Sequence, residues 1–258
     1  WTTKDGRTTI HKSYSVAAHI LRHIKHLLKN TKEPDRMPDL YDDTLDMCQH
    51  MCLAQGQITA YEALKIKLTD PNVTSSTYVL LAKVSAGVAE HANAALEASQ
   101  GLSVKDRKSS KKWGCHMKII SMLYHARAEF LQSQVERRES NYGNEIARLE
   151  RSIKMAREGQ EFLKSEGFVK IPDGPSSLGK IPQNLNSLLT NAKQRKRVIE
   201  DENSRIYMDT VPDAKKMSKI SGKDVMTYDA TKDSELPPEF MPCSLARPMF
   251  EHTSFLRK

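Results

Sequence analysis

Residues 142–163 have the sequence YGNEIARLERSIKMAREGQEFL, in which apolar side chains recur at intervals of close to alternating four and three. This spacing is typical of a helix packed lengthwise on a neighbouring helix. The apolar positions are Tyr142, Ile146, Leu149, Ile153, Ala156 and Leu163, and the charged positions between them are Glu145, Arg148, Glu150, Arg151 and Lys154. The segment is therefore predicted to be a helix whose charged residues face the solvent.

Five further segments have apolar residues at helical spacing. Asp70-Pro71-Asn72 separates the second predicted helix from the third, and residues 167–182 contain three prolines and three glycines, which predict a loop. At Ile206-Tyr207-Met208 the chain is predicted to leave the last helix as an extended tail that wraps over the helices. The six predicted helices span about residues 14–28, 45–68, 74–99, 113–135, 142–163 and 185–199.

The composition also favours an all-α fold. The 258 residues include only 11 glycines and 6% aromatics, while helix formers such as Ala, Leu, Lys and Glu are frequent. Long helices joined by short breaks predict antiparallel neighbours in a bundle or a solenoid, although no motif repeats at a fixed period. We expect a helical core over residues 1–212 and an extended, proline-containing tail over residues 213–258 that packs on the same domain.

The charge and the cysteines limit the class of protein. A formal net charge of +8 predicts attraction to an acidic partner, which could be nucleic acid, an anionic membrane face or an acidic peptide. No apolar run approaches the ~20 residues of a membrane span. The cysteines are too sparse for a disulfide framework and are predicted to be free thiols in a reducing compartment. They are Cys48, Cys52, Cys115 and Cys243.

No segment predicts catalysis or a bound cofactor. Residues 174–180, GPSSLGK, have the spacing of a phosphate-binding loop, but Ile181 stands where a Ser or Thr hydroxyl would hold magnesium. Two groups contain ligand residue types: His19, His23 and His26 on the first helix, and Cys48, His50 and Cys52 on the second. The first group lacks a nearby carboxylate, and on a helix His50 points away from the two cysteines. We expect a protein that is not an enzyme and that holds no metal or cofactor.

A basic cluster lies near the end of the sixth predicted helix. It comprises Lys193, Arg195, Lys196, Arg197 and Arg205, and it is interrupted by Glu200, Asp201 and Glu202. We interpret it as a solvated helix face, with phosphate binding as the alternative.

The third predicted helix is apolar on two sides. Leu81, Val88 and Ala92 form one stripe, which we expect to face the core. Leu80 and Val84 form a second stripe, offset by about a hundred degrees. This second stripe must be covered by another helix of the domain or left exposed to receive a partner's amphipathic helix.

Four segments, in this order, resemble the Bro domain family of ESCRT-associated proteins, and within it the Brox-like members most closely, with Alix-like members also similar. The segments are MCLAQGQ (51–57) with YEA (61–63), similar to the family's "LAQAQE" helix; LLAKV (80–84), similar to the helix after it; YGNEIARL (142–149), similar to "FGEEIARL"; and ENSRIY (202–207) followed by Val211-Pro212, similar to the "ENxxIY…VP" exit from the last long helix. Together they are far more specific than any one of them.

The resemblance implies a fold and a class of function. The fold would be a curved helical-hairpin solenoid, tetratricopeptide-like in its middle, and this sequence would lack the N-terminal part of the domain. The protein would be a cytoplasmic adaptor in endosomal sorting, recruited to endosomal or other remodelling membranes. Nucleic acid is not expected as a partner.

The resemblance also implies a binding site, a hydrophobic patch for the C-terminal amphipathic helix of an ESCRT-III subunit. Leu80 and Val84 match patch positions of the family. A further patch position, often a large aromatic in Alix-like members, falls near Ala60 or Tyr61, and a family lysine falls near Ala63. Two alternatives stay open: a basic helical domain that binds the membrane surface directly, and a signalling scaffold of the rhophilin type.

Overall fold

The computed structural model describes residues 4–30, 37–101, 107–165 and 180–226. All regular secondary structure in these ranges is helical, as predicted, and no helix in them is long and apolar enough to cross a membrane. The α-helices are α1 (Lys4–Leu27), α2 (Asp42–Lys65), α3 (Ser75–Gly101), α4 (Arg107–Arg138), α5 (Tyr142–Ser165) and α6 (Ile181–Glu202), with 3-10 turns at Leu28–Asn30, Pro38–Leu40, Ile66–Thr69 and Ala214–Lys216 and a π turn at Asn203–Tyr207.

The starts of the helices differ most from the prediction. α1 begins at Lys4 instead of Tyr14, because its polar first turns carry no apolar periodicity. α6 begins at Ile181, so Pro182 lies in its first turn instead of ending a loop. Proline is tolerated there because the nitrogen of a first-turn residue has no intrahelical partner. Residues 167–179 of the predicted loop, with most of the GPSSLGK segment, lie outside the described residues.

Each helix packs mainly on the helices that precede and follow it in the chain. α2 and α3 run antiparallel: Asp43, near the start of α2, lies against Gly101 at the end of α3. Further along the same pair, Gln57 Nε2 donates to the carbonyl of Val84 at 3.3 Å. Packing between neighbours in the chain is the arrangement of a helical-hairpin solenoid.

α3 lies between α2 and α4, which explains why its sequence is apolar on two sides. Small side chains let the neighbouring helices approach closely, and a buried serine, Ser85, donates across the contact to the carbonyl of Tyr124 at 2.8 Å. The buried alanines of α3 are Ala82, Ala86, Ala89, Ala92 and Ala95. α3 therefore forms the centre of the core.

Two charged residues of α5 that were predicted to face the solvent are buried instead. Glu145 is 0% exposed and accepts two hydrogen bonds from Arg195 of α6, at 2.6 and 3.1 Å. Arg148 is 4% exposed and pairs with Glu129 of α4 at 3.0 Å. The prediction was wrong at both positions because ion pairs with the neighbouring helices take the place of water. Glu150 is exposed, as predicted.

α6 ends in a π turn, Asn203–Tyr207, so the extended tail does not begin at Ile206 as predicted. The turn is closed by Met208, whose φ of 55° is in the left-handed region and whose N–H donates to the carbonyl of Asn203 at 2.7 Å. A wide final turn of this kind prolongs the helix beyond the last residue of its apolar periodicity. The extended chain starts after Met208.

Residues 209–226, called the strap below, continue as extended chain across the helices, with one 3-10 turn. At its start the carboxylate of Asp209 accepts a hydrogen bond from the backbone N–H of Tyr142 at 3.0 Å, which caps the N-terminus of α5. Further on, Arg148 of α5 donates to the carbonyl of Ser218 at 2.8 Å. The strap is therefore held by hydrogen bonds to the helices it crosses.

The strap passes so close to α5 that a side chain at Gly143 would not fit. A Cβ at Gly143 would overlap the carbonyl oxygen of Thr210 in the strap. We expect Gly143→Ala to lower the free energy of unfolding by about 1–3 kcal/mol, because backbone must shift to admit the methyl group. Urea denaturation of the variant and the parent chain measures this difference.

The matched control is Gly159→Ala on the same helix. The three atoms nearest to a Cβ there would be side-chain atoms of Leu185 and Ile119, at 3.3 to 3.5 Å. Since side chains can yield and alanine favours helix over glycine, the expected change is under about 1 kcal/mol in either direction. Equal losses at the two positions would contradict the steric explanation.

Candidate functional site

The two apolar stripes of α3 have different surroundings. Leu81, Val88 and Ala92 are each 0% exposed and face the core, as predicted. In the second stripe Val84 is also 0% exposed, whereas Leu80 is only partly buried. The second stripe therefore reaches the surface at its Leu80 end.

The strap covers the second stripe beyond Leu80. The backbone N–H of Lys223 donates to the carbonyl of Lys83 at 2.9 Å, and Gly87 lies against the backbone of Lys223. Gln57 of α2 completes the cover by its hydrogen bond to Val84. Of the two alternatives that the sequence left open, a covering helix is the nearer to the structure, because α2 packs beside α3 and the strap adds to the cover beyond Leu80.

Two glycines face each other where the strap crosses α3. A Cβ at Gly87 would lie 2.9 Å from the carbonyl oxygen of Lys223, and a Cβ at Gly222 would lie 2.8 Å from the Cα of Gly87. Only residues without a side chain permit this approach. Glu90 also accepts a hydrogen bond from the N–H of Gly222 at 3.2 Å. The strap is thus anchored at this level of α3, and Leu80 lies beyond it, toward the N-terminus of the helix.

Ala60 and Ala63 lie on the same face of the α2–α3 pair as Leu80. Gly56 of α2 contacts Met226 of the strap, and Ala60 and Ala63 follow Gly56 by four and seven residues, on the same side of the helix. Because α2 and α3 are antiparallel, this side of α2 runs beside α3 toward Leu80. Ala60 is half-buried and Ala63 is exposed. Leu80, Ala60 and Ala63 are called the Leu80 strip below.

Tyr61 points to the opposite side of α2 and is 4% exposed. Its ring meets that of Tyr124 edge-on, with centroids 5.5 Å apart. The guanidinium of Arg127 lies over both rings, 5.5 Å from the centroid of Tyr61 and 4.7 Å from that of Tyr124. Burial raises the pKa of both phenols. Tyr61 is therefore part of the core, and of the two patch positions that the resemblance left open, Ala60 is the accessible one.

The predicted set of contact residues is thus corrected at two positions. Val84 lies beneath Gln57 and the strap, and Tyr61 packs against α4, so neither side chain is available to a partner at the surface. Helical periodicity shows which residues share a side of a helix, but it does not show which side an extended segment covers.

Lysines border the Leu80 strip. Lys83, three residues after Leu80, is exposed, and so is Lys67 in the 3-10 turn that follows α2. Glu62, in the same turn of α2 as Ala63, lies 3.8 Å from Lys65. The border of the strip is therefore mainly cationic and suits acidic residues on a bound partner.

The histidine and cysteine groups that the sequence offered as metal ligands form no metal site in the part of the chain that the structure describes. Cys48 and Cys52 are free thiols, and burial raises the pKa of both, that of Cys52 to about 12. They are protonated at neutral pH and behave as small apolar side chains. His23 and His26 are exposed on α1, and Cys243 lies outside the described residues.

Comparison with known proteins identifies similar sequences. The profile of the BRO1-like domain family matches residues 2–252. The pH-response regulator protein palA/RIM20 of Pyricularia oryzae is 26% identical over 200 residues, which are 77% of this chain and 21% of that protein. The BRO1 domain-containing protein BROX of Mus musculus is 24% identical over 216 residues, which are 81% of this chain and 49% of that protein. The chain thus spans half or less of the length of these relatives.

A solved structure has the same fold. The ALIX BRO1 domain in the ALIX BRO1 CHMP4C complex superposes with a TM-score of 0.63 at 20% sequence identity, covering 93% of this chain and 60% of the matched chain. This likeness confirms the predicted helical-hairpin solenoid.

Proposed function

Because the chain belongs to the BRO1-like domain family, we propose that it is a non-catalytic adaptor that binds the C-terminal amphipathic helix of an ESCRT-III subunit on the Leu80 strip. The observation that carries this proposal is the position of Leu80, a partly exposed leucine that continues a buried apolar stripe. In support, the ALIX BRO1 domain of the same fold has been solved in a complex with CHMP4C.

The shape of the strip suits a helix. Leu80 supplies one large apolar anchor, and the small side chains of Ala60 and Ala63 beside it let the backbone of a bound helix come close. A partner would lay its apolar face along this strip and expose its polar face to solvent. Lys83 and Lys67 at the border would then meet acidic residues on the partner, which favours orientation and the rate of association more than affinity.

Val84 and Tyr61 have an indirect role in this proposal. Val84 fixes α3 against α2, and Tyr61 fixes α2 against α4, so together they hold the two helices that carry the strip. The same proposal places the chain in the cytoplasm, recruited to endosomal or other remodelling membranes through its ESCRT-III partner.

Titration of the purified chain with fluorescent C-terminal helices from each ESCRT-III subunit tests the proposal. Leu80→Asp should weaken the tightest of these complexes by about 100-fold or more, because it places a charge where the apolar anchor of the partner must sit. Fluorescence anisotropy measures the affinity, and circular dichroism shows that the variant keeps its helices, since Leu80 is only partly buried.

Leu27→Asp is the matched control, because Leu27 is 65% exposed on α1 and receives the same change. It should bind the helices as the parent chain does. Val84→Asp is unsuitable for this purpose, since it would bury a charge and unfold the site. Equal affinity of the parent chain and Leu80→Asp for the helices would show that the binding site lies elsewhere. A folded chain that binds none of the helices would refute the adaptor proposal.

A further inference from the structure

A second surface, on the opposite half of the helix series, has the features of a peptide-binding groove. It has a volume of about 950 Å³ and is lined by α5, α6 and the strap segment 212–215. Apolar side chains contribute to its lining, among them Ile153, Met155 and Pro212. A groove of this kind can take an apolar side chain of a ligand between two helices.

The groove has an excess of unpaired positive charge. Its lining includes seven cationic and five anionic side chains. Two of the carboxylates are neutralised within the groove, since Glu158 lies 3.8 Å from Lys154 and Glu200 lies 3.2 Å from Lys196. Among the described residues, four of its cations have no carboxylate within ion-pair distance, and three of its carboxylates have no cation within that distance. The cations are Arg157, Lys193, Arg197 and Lys215, and the carboxylates are Glu150, Glu161 and Asp213.

The structure divides the basic cluster that the sequence shows near the end of α6. Arg195 turns inward to Glu145, and Arg205 pairs with Asp201 at 2.8 Å, so neither lines the groove. The other three members of the cluster do, together with cations of α5 and of the strap. Lys193 and Arg197 are exposed to solvent on α6, as predicted, and the structure places them beside cations of α5 and of the strap.

We propose that this groove binds an acidic peptide segment of a partner protein, with an apolar side chain of that peptide against Ile153 and Met155. Carboxylates of the peptide pair with the four free cations. The carboxylates of Glu150, Glu161 and Asp213 lie among these cations and would repel a continuous anionic surface, such as a phospholipid bilayer or the phosphates of a nucleic acid. A peptide can place its charges selectively and avoid these three carboxylates.

Selection from a random peptide library displayed on phage tests this proposal. The Leu80→Asp variant serves as the immobilised target, so that peptides recovered do not come from the Leu80 strip. We expect enrichment of peptides that combine several Asp or Glu residues with one large apolar residue. Fluorescent synthetic copies of the enriched peptides are then titrated by anisotropy.

Two matched double variants locate the binding. Arg157→Glu with Arg197→Glu should lower the affinity of the chain for the peptides by about 10-fold or more, because it replaces electrostatic attraction in the groove by repulsion. Lys12→Glu with Arg22→Glu, on the exposed side of α1, makes the same change in net charge and should leave the affinity unchanged. Equal losses in both variants, or no enrichment of acidic peptides, would overturn the proposal.

Two further probes distinguish other ligands of the same charge. Phosphatidylserine vesicles and a single-stranded oligonucleotide are each titrated against the parent chain and the groove variant. We expect neither probe to depend on the groove. Binding of either one that is lost in the groove variant, while the selected peptides bind both chains equally, would overturn the proposal and assign the groove to that ligand.

Discussion

Replacing Arg195 with methionine is expected to lower the free energy of unfolding by about 3–5 kcal/mol, the range found when one partner of a buried ion pair is removed. Arg195 of α6 donates through Nε and Nη2 to the two carboxylate oxygens of Glu145, at 2.6 and 3.1 Å. The side chain of Glu145 is 0% exposed. Without the guanidinium, a carboxylate would remain in the core with neither water nor a cation to stabilise it.

Urea denaturation of the parent chain and the variant measures the loss of stability. Two further variants show whether the unpaired charge causes it. Glu145→Gln combined with Arg195→Met should recover much of the stability, because an amide costs less to bury than a carboxylate. Arg22→Met removes an exposed arginine of α1 and should change the stability by less than about 0.5 kcal/mol. If the double variant is as unstable as Arg195→Met, the loss arises from packing and not from the unpaired charge.

The helices of this fold could be predicted from the sequence, but their buried charges could not. The periodic apolar residues of 142–163 locate α5 correctly, since burial of one side of a helix leaves a regular pattern in the sequence. Glu145 and Arg148 fall between these apolar positions and were expected in solvent. Whether a charged residue at such a position is buried depends on a partner in another helix, and the partners Arg195 and Glu129 lie at distances in the chain that follow no pattern.

The same reason explains which part of the candidate site was predicted. Leu80 was predicted as a contact residue because it lies outside the core stripe of α3 and is nevertheless apolar, and the structure shows that it is partly exposed. Val84 belongs to the same stripe, but it is covered by α2 and the strap, and the strap's contacts there use the backbone, such as the hydrogen bond from Lys223 to the carbonyl of Lys83. Backbone contacts of an extended segment place few demands on side chains, so they leave little trace in the sequence beyond the glycines at positions 87 and 222.

Replacing Arg148 with methionine is expected to lower the free energy of unfolding by about 3 kcal/mol at neutral pH, because it removes one partner of a buried ion pair. Arg148 joins three segments: it pairs with Glu129 of α4 at 3.0 Å and donates to the carbonyl and the hydroxyl of Ser218 in the strap, at 2.8 and 3.2 Å. In the variant Arg151, which lies 3.1 Å from Glu129, still balances part of the charge of that carboxylate. The loss of stability should therefore not exceed that of Arg195→Met. Arg137→Met, at an exposed position of α4, serves as the control.

The pH dependence of this loss separates the charge of Glu129 from the contacts of the strap. Burial raises the pKa of Glu129, and Arg148 and Arg151 partly offset that rise, so the pKa should rise further in Arg148→Met. A carboxyl whose pKa is higher in the folded than in the unfolded chain binds its proton more tightly when folded, which favours the folded state as pH falls through the folded-state pKa. In urea denaturation, the difference in stability between the parent chain and the variant should therefore narrow as the pH is lowered from neutral toward the ordinary pKa of a glutamate, about 4.3.

The double variant Glu129→Gln with Arg148→Met has no carboxyl at this position, and its difference from the parent chain should depend much less on pH. The stability that it still lacks comes from the two hydrogen bonds to Ser218 and from the ion pair of Arg148 with Glu136 at 4.0 Å. The difference in stability between Arg148→Met and the parent chain could instead stay constant with pH. That result would show that the strap contacts, and not the buried carboxylate of Glu129, account for the whole loss of stability.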